Sequence, residues 1–388
     1  MAQSQTPRQA RGHAVDIVLS TLSIVAGVAA FLTFLYYWDP TRLVWKRWMA
    51  SSPTLYEEVD PRLLAVDPAD FITVRSEEAL ARTRQALIQA IWGRADLPPF
   101  PGPATIERVY PAPSNAASCP LLQDKLARRL DCNLDLYRDT ANLAAIDRLA
   151  FRITDQYVSI AGHFIPRSGN GKVVIYQHGY AGTYHDQWRH IARLVAEGYA
   201  VLALNLPAYG ENAIPAAVMD EADPRIFIDP ALAAAHYATE RLHYRAVAML
   251  GLSAGAWVTV MAAAVEPEII QSYAVAGVLP VYLRREKETA PPQLDSRLLQ
   301  AADYLDIYVL GTSGVGRSQM QIFNRFDRCC FAGPRGLVYE EAVQEAVAAT
   351  GAGRFQVILD ETHARHKISA FAMDHILTDL ARLQAPSG

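Results

Sequence analysis

The sequence feature that most constrains the fold is an apolar run that ends in a serine between two glycines. Residues 246–250 are all apolar and predict a buried strand, and the next five residues read G-L-S-A-G, from Gly251 to Gly255. A stretch of small, helix-favouring residues follows over 256–265. A tight strand-to-helix turn of this kind pushes the hydroxyl of Ser253 out at the edge of a sheet, and side chains at the glycine positions would collide with neighbouring backbone. We therefore predict that Ser253 is a nucleophile.

Short apolar runs alternate with segments of helical character from about residue 150 to the end of the chain. Strands are predicted at 156–165, 172–177, 199–206, 272–278, 320–326 and 355–359, and helices at 186–197, 230–242 and 369–383. Strands and helices that alternate at this spacing predict an α/β architecture, a doubly wound and mostly parallel sheet covered on both faces. The polar stretch 281–318 interrupts the rhythm and is interpreted as a cap-like insertion.

The composition of the chain excludes some classes of function. The 388 residues are 51% hydrophobic and 20% charged, which is enough apolar material for a sizeable core. The formal net charge of −4 leaves no basic footprint for nucleic acid. His185 and His190 flank Trp188, but neither H-E-x-x-H nor C-x-x-C occurs, so no metal site and no cofactor are predicted.

The N-terminus differs from the rest of the chain because no charged residue occurs from Ile17 to Trp38. At about 1.5 Å per helical residue, this stretch matches a bilayer core of roughly 30 Å, and its aromatic end suits the membrane–water boundary. We therefore expect a short tail over 1–16 and a single-pass membrane anchor over 17–38. A cleaved signal peptide is the alternative, since small residues at 25–30 offer a cleavage site.

The side of the membrane on which the remaining chain lies is only weakly indicated. Basic residues flank the predicted span at both ends, so the positive-inside rule returns a near tie. The four cysteines (Cys119, Cys132, Cys329 and Cys330) permit disulfides in an oxidising compartment. The cysteines favour a C-terminal domain outside the cytoplasm.

Residues 39–149 are predicted to form a juxtamembrane and helical extension. Prolines break the stretch 39–75, and a helix is predicted between Ser76 as N-cap and Gly93 as C-cap. Further helix is predicted over 120–150. Three roles for the extension stay open: capping an active site, docking a partner, or bracing the sheet.

A serine hydroxyl needs a base, usually a histidine that a carboxylate orients. In a doubly wound hydrolase the partners follow later strands in the order Ser, Asp or Glu, His. Asp327 directly follows the strand predicted at 320–326, and His366 lies in the loop after the last strand, just before a helix start. We predict these two as acid and base, with His363 as the alternative base and Asp360 as the alternative acid.

The oxyanion formed during acyl transfer needs backbone N–H donors, and removing one costs roughly 3–4 kcal/mol of transition-state stabilisation. One predicted donor is the N–H of Ala254, the residue after the nucleophile. The other is the N–H of Tyr180, in the loop that begins with His178 and Gly179 after the strand at 172–177. His178 precedes the nucleophile in the chain, which is the wrong order for a base in this fold. It is therefore interpreted as a turn-forming residue, like Gly179, Gly251 and Gly255.

Residues 150–388 resemble the α/β-hydrolase superfamily, because they carry His-Gly after the third strand, G-x-S-x-G at the turn, a strand-end Asp and a late His. The resemblance implies an eight-stranded, mostly parallel sheet and hydrolysis of an ester or related bond through an acyl-enzyme. It covers about three fifths of the chain, and the first 150 residues have no counterpart in it. One departure is the doublet Cys329-Cys330 beside the predicted acid, interpreted as packing the loop, with a vicinal disulfide as the alternative.

Three functions are compatible with these residues. The first is a membrane-anchored serine esterase or lipase-like hydrolase acting on a small-molecule or lipid ester. The second is an acyltransferase with the same acyl-enzyme, in which another hydroxyl replaces water. The third is a non-catalytic binding or scaffold protein of the same fold.

Overall fold

The computed structural model describes residues 21–34, 54–111, 130–212, 214–215, 223–285 and 288–382. Within these residues one mixed sheet of nine strands is formed, in the order β1-β2-β3-β5-β4-β6-β7-β8-β9. The strands are β1 (Thr105–Tyr110), β2 (Leu143–Thr154), β3 (Tyr157–Pro166), β4 (Lys172–Gln177), β5 (Ala200–Leu204), β6 (Ala246–Leu252), β7 (Ile269–Val275), β8 (Ser318–Asn324) and β9 (Arg354–Asp360).

The first three strands form an antiparallel edge that the sequence analysis only partly predicted. β2 pairs with β1 and β3, and β3 pairs with β5, all antiparallel. The predicted hairpin strand at 156–165 is confirmed as β3. The helix predicted over 120–150 is wrong from Leu143 onward, because those residues belong to β2, whereas Asp131–Tyr137 forms a short helical segment. β2 is buried on both faces over much of its length, so its apolar run lacks the alternation that separates a strand from a helix. The sheet therefore has one strand more than the predicted eight.

The remaining strands confirm the prediction of a mostly parallel sheet. Neighbours in the series β5-β4-β6-β7-β8-β9 all run parallel. Their side chains point alternately into two apolar layers: Val173 and Ile175 of β4 contribute to one layer, and Val174 and Tyr176 to the other. Burial on both faces is why such strands read as continuous apolar runs in the sequence.

Helices cover both faces of the sheet. One face is covered by α2 and α7, and the other by α1, α3, α4, α5 and α6. Their bounds are α1 (Glu77–Trp92), α2 (Trp188–Ala196), α3 (Arg225–His236), α4 (Ala254–Val265), α5 (Tyr304–Thr312), α6 (Glu340–Ala349) and α7 (Ala370–Leu380). Shorter helical segments are Thr54–Glu57, Pro61–Leu64, Pro68–Phe71, Asp131–Tyr137, Tyr184–Gln187, Tyr237–Arg241, Val281–Leu283, Pro291–Leu294, Ser296–Ala301 and Pro334–Val338.

The predicted ends of α1 are confirmed. The Ser76 hydroxyl accepts a hydrogen bond from the N–H of Ala79 at 3.2 Å, and Gly93 ends the helix in the left-handed region with φ 69°. Leu87, Ile88 and Ile91 bury the apolar face of the helix in the main core. This helix of the extension therefore packs on the sheet domain.

The first described residues, 21–34, form a helix with exposed side chains. The predicted membrane span over 17–38 reaches beyond the described residues at both ends. Among the helices that the structure describes, none has both the length and the apolar character needed to cross a membrane.

The predicted cap-like insertion over 281–318 divides into two parts. Its described residues up to 303 form only short helical segments joined by loops. By contrast, all residues of α5 are buried, and the helix packs against α4. It is the crossover that joins β7 to β8, so these residues belong to the helical layer and not to a lid.

Candidate active site

The turn after β6 holds Ser253 in a strained backbone conformation. β6 ends at Leu252, α4 begins at Ala254, and Ser253 between them has φ 59° and ψ −120°. A positive φ is unfavourable for a residue with a Cβ and persists only where the surroundings enforce it. The N–H of Ser253 donates to the carbonyl of Val275 on β7 at 2.9 Å, which ties the turn to the neighbouring strand. The predicted strand–turn–helix context is present.

Three glycines let the turn close. A Cβ on Gly251 would overlap the backbone of Gly255, and a Cβ on Gly255 would overlap the carbonyl of Gln177 on β4. A Cβ on Gly277 would overlap the carbonyl of Ser253 in the same way. The sequence analysis missed Gly277, because its contact comes from the loop after a neighbouring strand and no local motif marks it.

The structure brings the predicted acid and base together. Because β6, β8 and β9 run parallel, the loops that follow them meet at one edge of the sheet. The Nδ1–H of His366 donates to Oδ2 of Asp327 at 2.7 Å. Asp327 is buried and accepts a second hydrogen bond, at 2.8 Å, from the N–H of Cys329. Nε2 of His366 is buried and has no hydrogen-bond partner among the described residues, so it is available for proton transfer.

The alternative base and acid form a separate pair. His363 is buried; its Nε2–H donates to Oδ2 of Asp360 at 3.1 Å, and its Nδ1 accepts from the N–H of Arg365 at 3.0 Å. Both ring nitrogens are therefore occupied. Burial alone would raise the pKa of Asp360, but hydrogen bonds from His363 and Ser369 outweigh it and hold that pKa well below its usual range. This pair fastens the loop that carries His366.

Two side chains that the sequence analysis missed also hold this loop. Asn324, the last residue of β8, donates to the carbonyls of Arg365 at 3.2 Å and Lys367 at 2.9 Å, on either side of His366. His190 of α2 donates to the carbonyl of Ile368 at 3.0 Å. Burial lowers the pKa of His190 to about 4, so its imidazole is neutral near pH 7. Contacts between residues so distant in the chain leave no sequence signal.

The loop after β4 lies against the nucleophile turn. A Cβ on Gly179 would stand 2.7 Å from the carbonyl oxygen of Leu252 and 2.8 Å from Cβ of Ser253. The same position is 3.4 Å from the backbone nitrogen of Ala254. The two predicted oxyanion donors, the N–H groups of Tyr180 and Ala254, thus lie on segments in direct contact. Their role stays a prediction.

His178 is placed as a structural residue. It is buried, and its Nδ1 pairs with the hydroxyl of Tyr176 at 2.8 Å. Burial lowers the pKa of His178 to about 4, against the opposing influence of Asp186, while the nearby His366 adds to the lowering. The influence of His366 on His178 indicates that the loops after β4 and β9 lie close together.

A segment from the N-terminal extension reaches the acid loop. Arg325 donates to the carbonyl of Tyr56 at 2.8 Å and pairs with the Glu57 carboxylate at 2.9 Å. The Tyr56 ring lies 6.0 Å from that of Phe326. Burial, and then the charge of Asp327, raise the pKa of Tyr56, so its hydroxyl lies within electrostatic reach of the predicted acid. Nothing in the sequence marked Tyr56 as a residue near the site.

The cysteine doublet beside Asp327 forms a vicinal disulfide between Cys329 and Cys330. The alternative of a vicinal disulfide is therefore found, and Cys330 also packs against the apolar core. Ligand atoms of Cys329, Cys330 and His366 lie within 4.8 Å of one another. The search for spaced metal motifs missed this group, because adjacent cysteines and a distant histidine match none of them. His185, by contrast, pairs with the hydroxyl of Tyr137 at 3.1 Å.

Comparisons with known proteins agree with this architecture. A family model described as the alpha/beta hydrolase fold matches residues 172–322. No curated protein matches the sequence. Similar solved structures include the methylesterase BT1017, with a TM-score of 0.57 and 13% identity over 83% of this chain and 68% of that one. The glucuronoyl esterase from Solibacter usitatus gives a TM-score of 0.53 and 10% identity over 82% and 97% of the two chains.

Another similar structure is acetyl xylan esterase 1 from Thermoanaerobacterium sp. JW/SL YS485. Its TM-score is 0.50, with 14% identity over 84% of this chain and 99% of that one. Identities this low establish a shared fold and nothing finer. The residue-level geometry therefore has to carry any assignment of chemistry.

Proposed function

We propose that this chain, which has the α/β-hydrolase fold, is a serine esterase that cleaves its substrate through an acyl-enzyme on Ser253. The observation that carries the proposal is the hydrogen bond between His366 Nδ1 and Asp327 Oδ2, on the sheet edge that also presents Ser253 in its strained turn. A carboxylate bound to Nδ1 fixes the tautomer in which Nε2 is free to accept a proton. Nε2 of His366 has no hydrogen-bond partner among the described residues, which supports this role.

In the proposed first step, Oγ of Ser253 attacks the carbonyl carbon of the ester while its proton passes to Nε2 of His366. Asp327 stabilises the imidazolium that forms. The negative oxygen of the tetrahedral intermediate is held by the N–H groups of Ala254 and Tyr180. His366 then gives its proton to the departing alcohol. Water repeats the sequence on the acyl-enzyme, which releases the acid and restores Ser253.

An ester bond is the substrate feature that the comparisons favour. The three similar structures are a methylesterase, a glucuronoyl esterase and an acetyl xylan esterase. These names share ester hydrolysis but differ in the acid and the alcohol. They support a small-molecule ester as the substrate class here without selecting one, and a lipid ester is proposed from the predicted membrane anchor alone.

The decisive experiment is labelling with a fluorophosphonate, which traps an activated serine. We expect the purified chain to be labelled and to hydrolyse p-nitrophenyl acetate, and Ser253→Ala to lose both properties. Ser313→Ala is the matched control, since the Ser313 hydroxyl is buried and bonded to Thr350 at 2.6 Å, and the two residues precede the beginnings of β8 and β9, at the edge of the sheet opposite the proposed site. Labelling that survives in Ser253→Ala would refute the assignment.

The same preparation tests the other two functions. Transfer of the acyl group to an added alcohol in preference to water would identify an acyltransferase. Turnover of the wild type no faster than that of Ser253→Ala would identify a non-catalytic protein.

We also propose that residues 17–38 anchor the chain in a membrane, with the remaining chain outside the cytoplasm. The support is the uncharged stretch itself, the helix at 21–34 with exposed apolar side chains such as Leu22 and Phe31, and a disulfide, which persists in oxidising compartments. We expect the full chain in the detergent-extracted membrane fraction and a variant lacking residues 1–38 in the soluble fraction. Equal partition of the two proteins would contradict the anchor.

A further inference from the structure

The vicinal disulfide places two sulfur atoms beside the proposed catalytic imidazole. The sulfur atoms of Cys329 and Cys330 and a ring nitrogen of His366 are within 4.8 Å of one another. Cys329 is exposed, and the other two residues are partly exposed, so solvent reaches the group. The pair is also joined to the acid through the Cys329 N–H, which donates to Oδ1 of Asp327 at 2.8 Å.

We propose that reduction of this disulfide by a thiol or dithiol converts Cys329, Cys330 and His366 into a binding site for Zn²⁺ or a similar thiophilic divalent cation. The bound cation switches the esterase off. The inhibitory part rests on the proposed function, whereas the binding site does not.

The proposed switch has two steps, reduction of the disulfide and then binding of the cation. A dithiol reductant supplies two electrons and two protons, the S–S bond breaks, two thiols form, and the reductant becomes a disulfide. Zn²⁺ then displaces the two thiol protons into solvent and binds two thiolates. One imidazole nitrogen is the third ligand and water the fourth, a tetrahedral set of the kind that zinc prefers.

The distances fit such a site with little movement. Zinc–sulfur bonds of about 2.3 Å and zinc–nitrogen bonds of about 2.0 Å place tetrahedral ligands roughly 3–4 Å apart. The three ligand atoms already lie within 4.8 Å of one another. Once the sulfur atoms are free to separate, a shift of about 1 Å completes the set.

Binding of a cation to either ring nitrogen of His366 stops the proposed reaction. A cation on Nε2 occupies the lone pair that accepts the serine proton. A cation on Nδ1 displaces the hydrogen bond to Asp327, which orients the ring. In the oxidised state the sulfur atoms are bonded to each other and supply no thiolate. Zinc therefore does not bind, and the proposed esterase stays active.

The test uses the purified full chain, reduced with a dithiol that is then removed without air, beside a sample left oxidised. Co²⁺ serves as the probe, because thiolate ligation gives a charge-transfer absorption that does not depend on turnover. We expect this absorption only in the reduced sample. We also expect one equivalent of Zn²⁺ to lower p-nitrophenyl acetate turnover at least about tenfold in the reduced sample and to leave the oxidised sample unchanged.

Two variants make the outcome specific. The double variant Cys329→Ser/Cys330→Ser is expected to lose the absorption in both states and to respond to Zn²⁺ equally before and after reduction. His366→Ala is expected to retain thiolate absorption with roughly tenfold or more weaker Co²⁺ affinity, because one of three protein ligands is gone. Absorption that persists in the double variant, or unchanged affinity in His366→Ala, would overturn the site.

The two proposals fail in different ways. If the oxidised chain hydrolyses p-nitrophenyl acetate but the reduced chain shows no Co²⁺ charge-transfer absorption, the cation site is refuted and the esterase proposal stands. Thiolate absorption in a chain that has no Ser253-dependent turnover would remove the esterase and leave the cation site.

Discussion

At the scale of single residues, two imidazoles close together in the sequence are given different tasks by their partners. His366 uses Nδ1 to bind Asp327 and keeps Nε2 free, whereas His363 uses both nitrogens. A base needs an available lone pair as well as an orienting carboxylate. The hydrogen bonds therefore favour His366 over His363.

Replacing each imidazole in turn tests this assignment. His366→Ala is expected to lower kcat for p-nitrophenyl acetate by about 10⁵ to 10⁶, as loss of the base does in serine hydrolases. His363→Ala is expected to lower the thermal midpoint instead, because Asp360 loses one of its buried partners. Measured kcat values and melting curves separate the two effects. A larger loss of kcat in His363→Ala would exchange their roles.

At the scale of elements, backbone contacts between loops set the shape of the site. The loop after β4 approaches the nucleophile turn so closely that only a glycine fits at 179, where a Cβ would be 2.7 Å from the carbonyl oxygen of Leu252. Real Cβ atoms do not tolerate that separation, so one of the two segments has to move. The contact couples the proposed oxyanion donors to the serine.

Gly179→Ala is therefore expected to lower kcat by about 10² to 10³, the cost of misplacing one oxyanion donor, with KM much less affected. Gly316→Ala is the control for glycine loss in general, since nothing lies within 4 Å of its Cβ position. The positive φ at position 316 strains an alanine there, but the added Cβ contacts no residue that could pass the strain to the proposed site. Steady-state kinetics on both variants provides the measurement, and equal kcat losses would argue against the contact.

The junction of α1 and α3 contains a carboxyl group with an altered affinity for protons. Burial raises the pKa of Asp229 to about 7, although the indole N–H of Trp92 donates to it at 2.9 Å and acts to lower that pKa. Because the pKa of Asp229 is higher in the folded state than in the unfolded state, protonation of Asp229 adds to the free energy of unfolding. This contribution is complete below about pH 4 and is lost as the pH rises through 7.

Asp229→Asn keeps an acceptor for Trp92 but removes the ionisation. Between pH 5 and pH 8, the wild type is expected to lose roughly 2–3 kcal/mol of unfolding free energy relative to this variant. Urea denaturation of both proteins at the two pH values gives the difference directly. A difference that does not change with pH would contradict the raised pKa.

At the scale of the whole molecule, the N-terminal extension is fastened to the helical layer by buried polar contacts. Asp306 of α5 is buried and accepts hydrogen bonds from the N–H groups of Thr73 and Val74, at 2.8 and 2.9 Å, and from the Thr73 hydroxyl at 2.7 Å. Arg84 of α1 donates to the carbonyls of Ala264 and Leu310, at 2.9 and 3.0 Å. Of the roles open for the extension, bracing is thus visible in its contacts.

Asp306→Ala leaves buried N–H groups without a partner and is expected to cost about 3 kcal/mol or more of unfolding free energy. Asp303→Ala removes a helix cap on the same helix, the hydrogen bond to Leu305 N–H at 2.9 Å, and is expected to cost only about 1 kcal/mol. Denaturant titrations of the two variants compare the losses. A similar small loss in both would mean that the extension contributes little to the fold.

Local sequence was enough to predict those parts of this protein that depend on neighbouring residues. Gly251, Ser253 and Gly255 predicted the turn, apolar runs predicted the parallel strands, and Ser76 and Gly93 predicted the ends of α1. Each of these signals is local, because a turn, a strand or a cap is decided by residues a few positions apart. Asp327 and His366 were predicted from their order after the strands of this fold.

The way in which distant segments meet depends on contacts that no stretch of sequence predicts. β1 was missed because its six residues are mostly exposed and form no apolar run. The first half of β2 was missed because an apolar run buried on both faces carries no period that marks it as a strand. Three contacts join positions far apart in the chain. Asn324 binds the loop that carries His366, Tyr56 lies near Asp327, and the two sulfur atoms lie within 4.8 Å of a ring nitrogen of His366. Such contacts are stabilised by burial and hydrogen bonds across the fold, and these forces act between surfaces that exist only once the sheet and its helices have assembled.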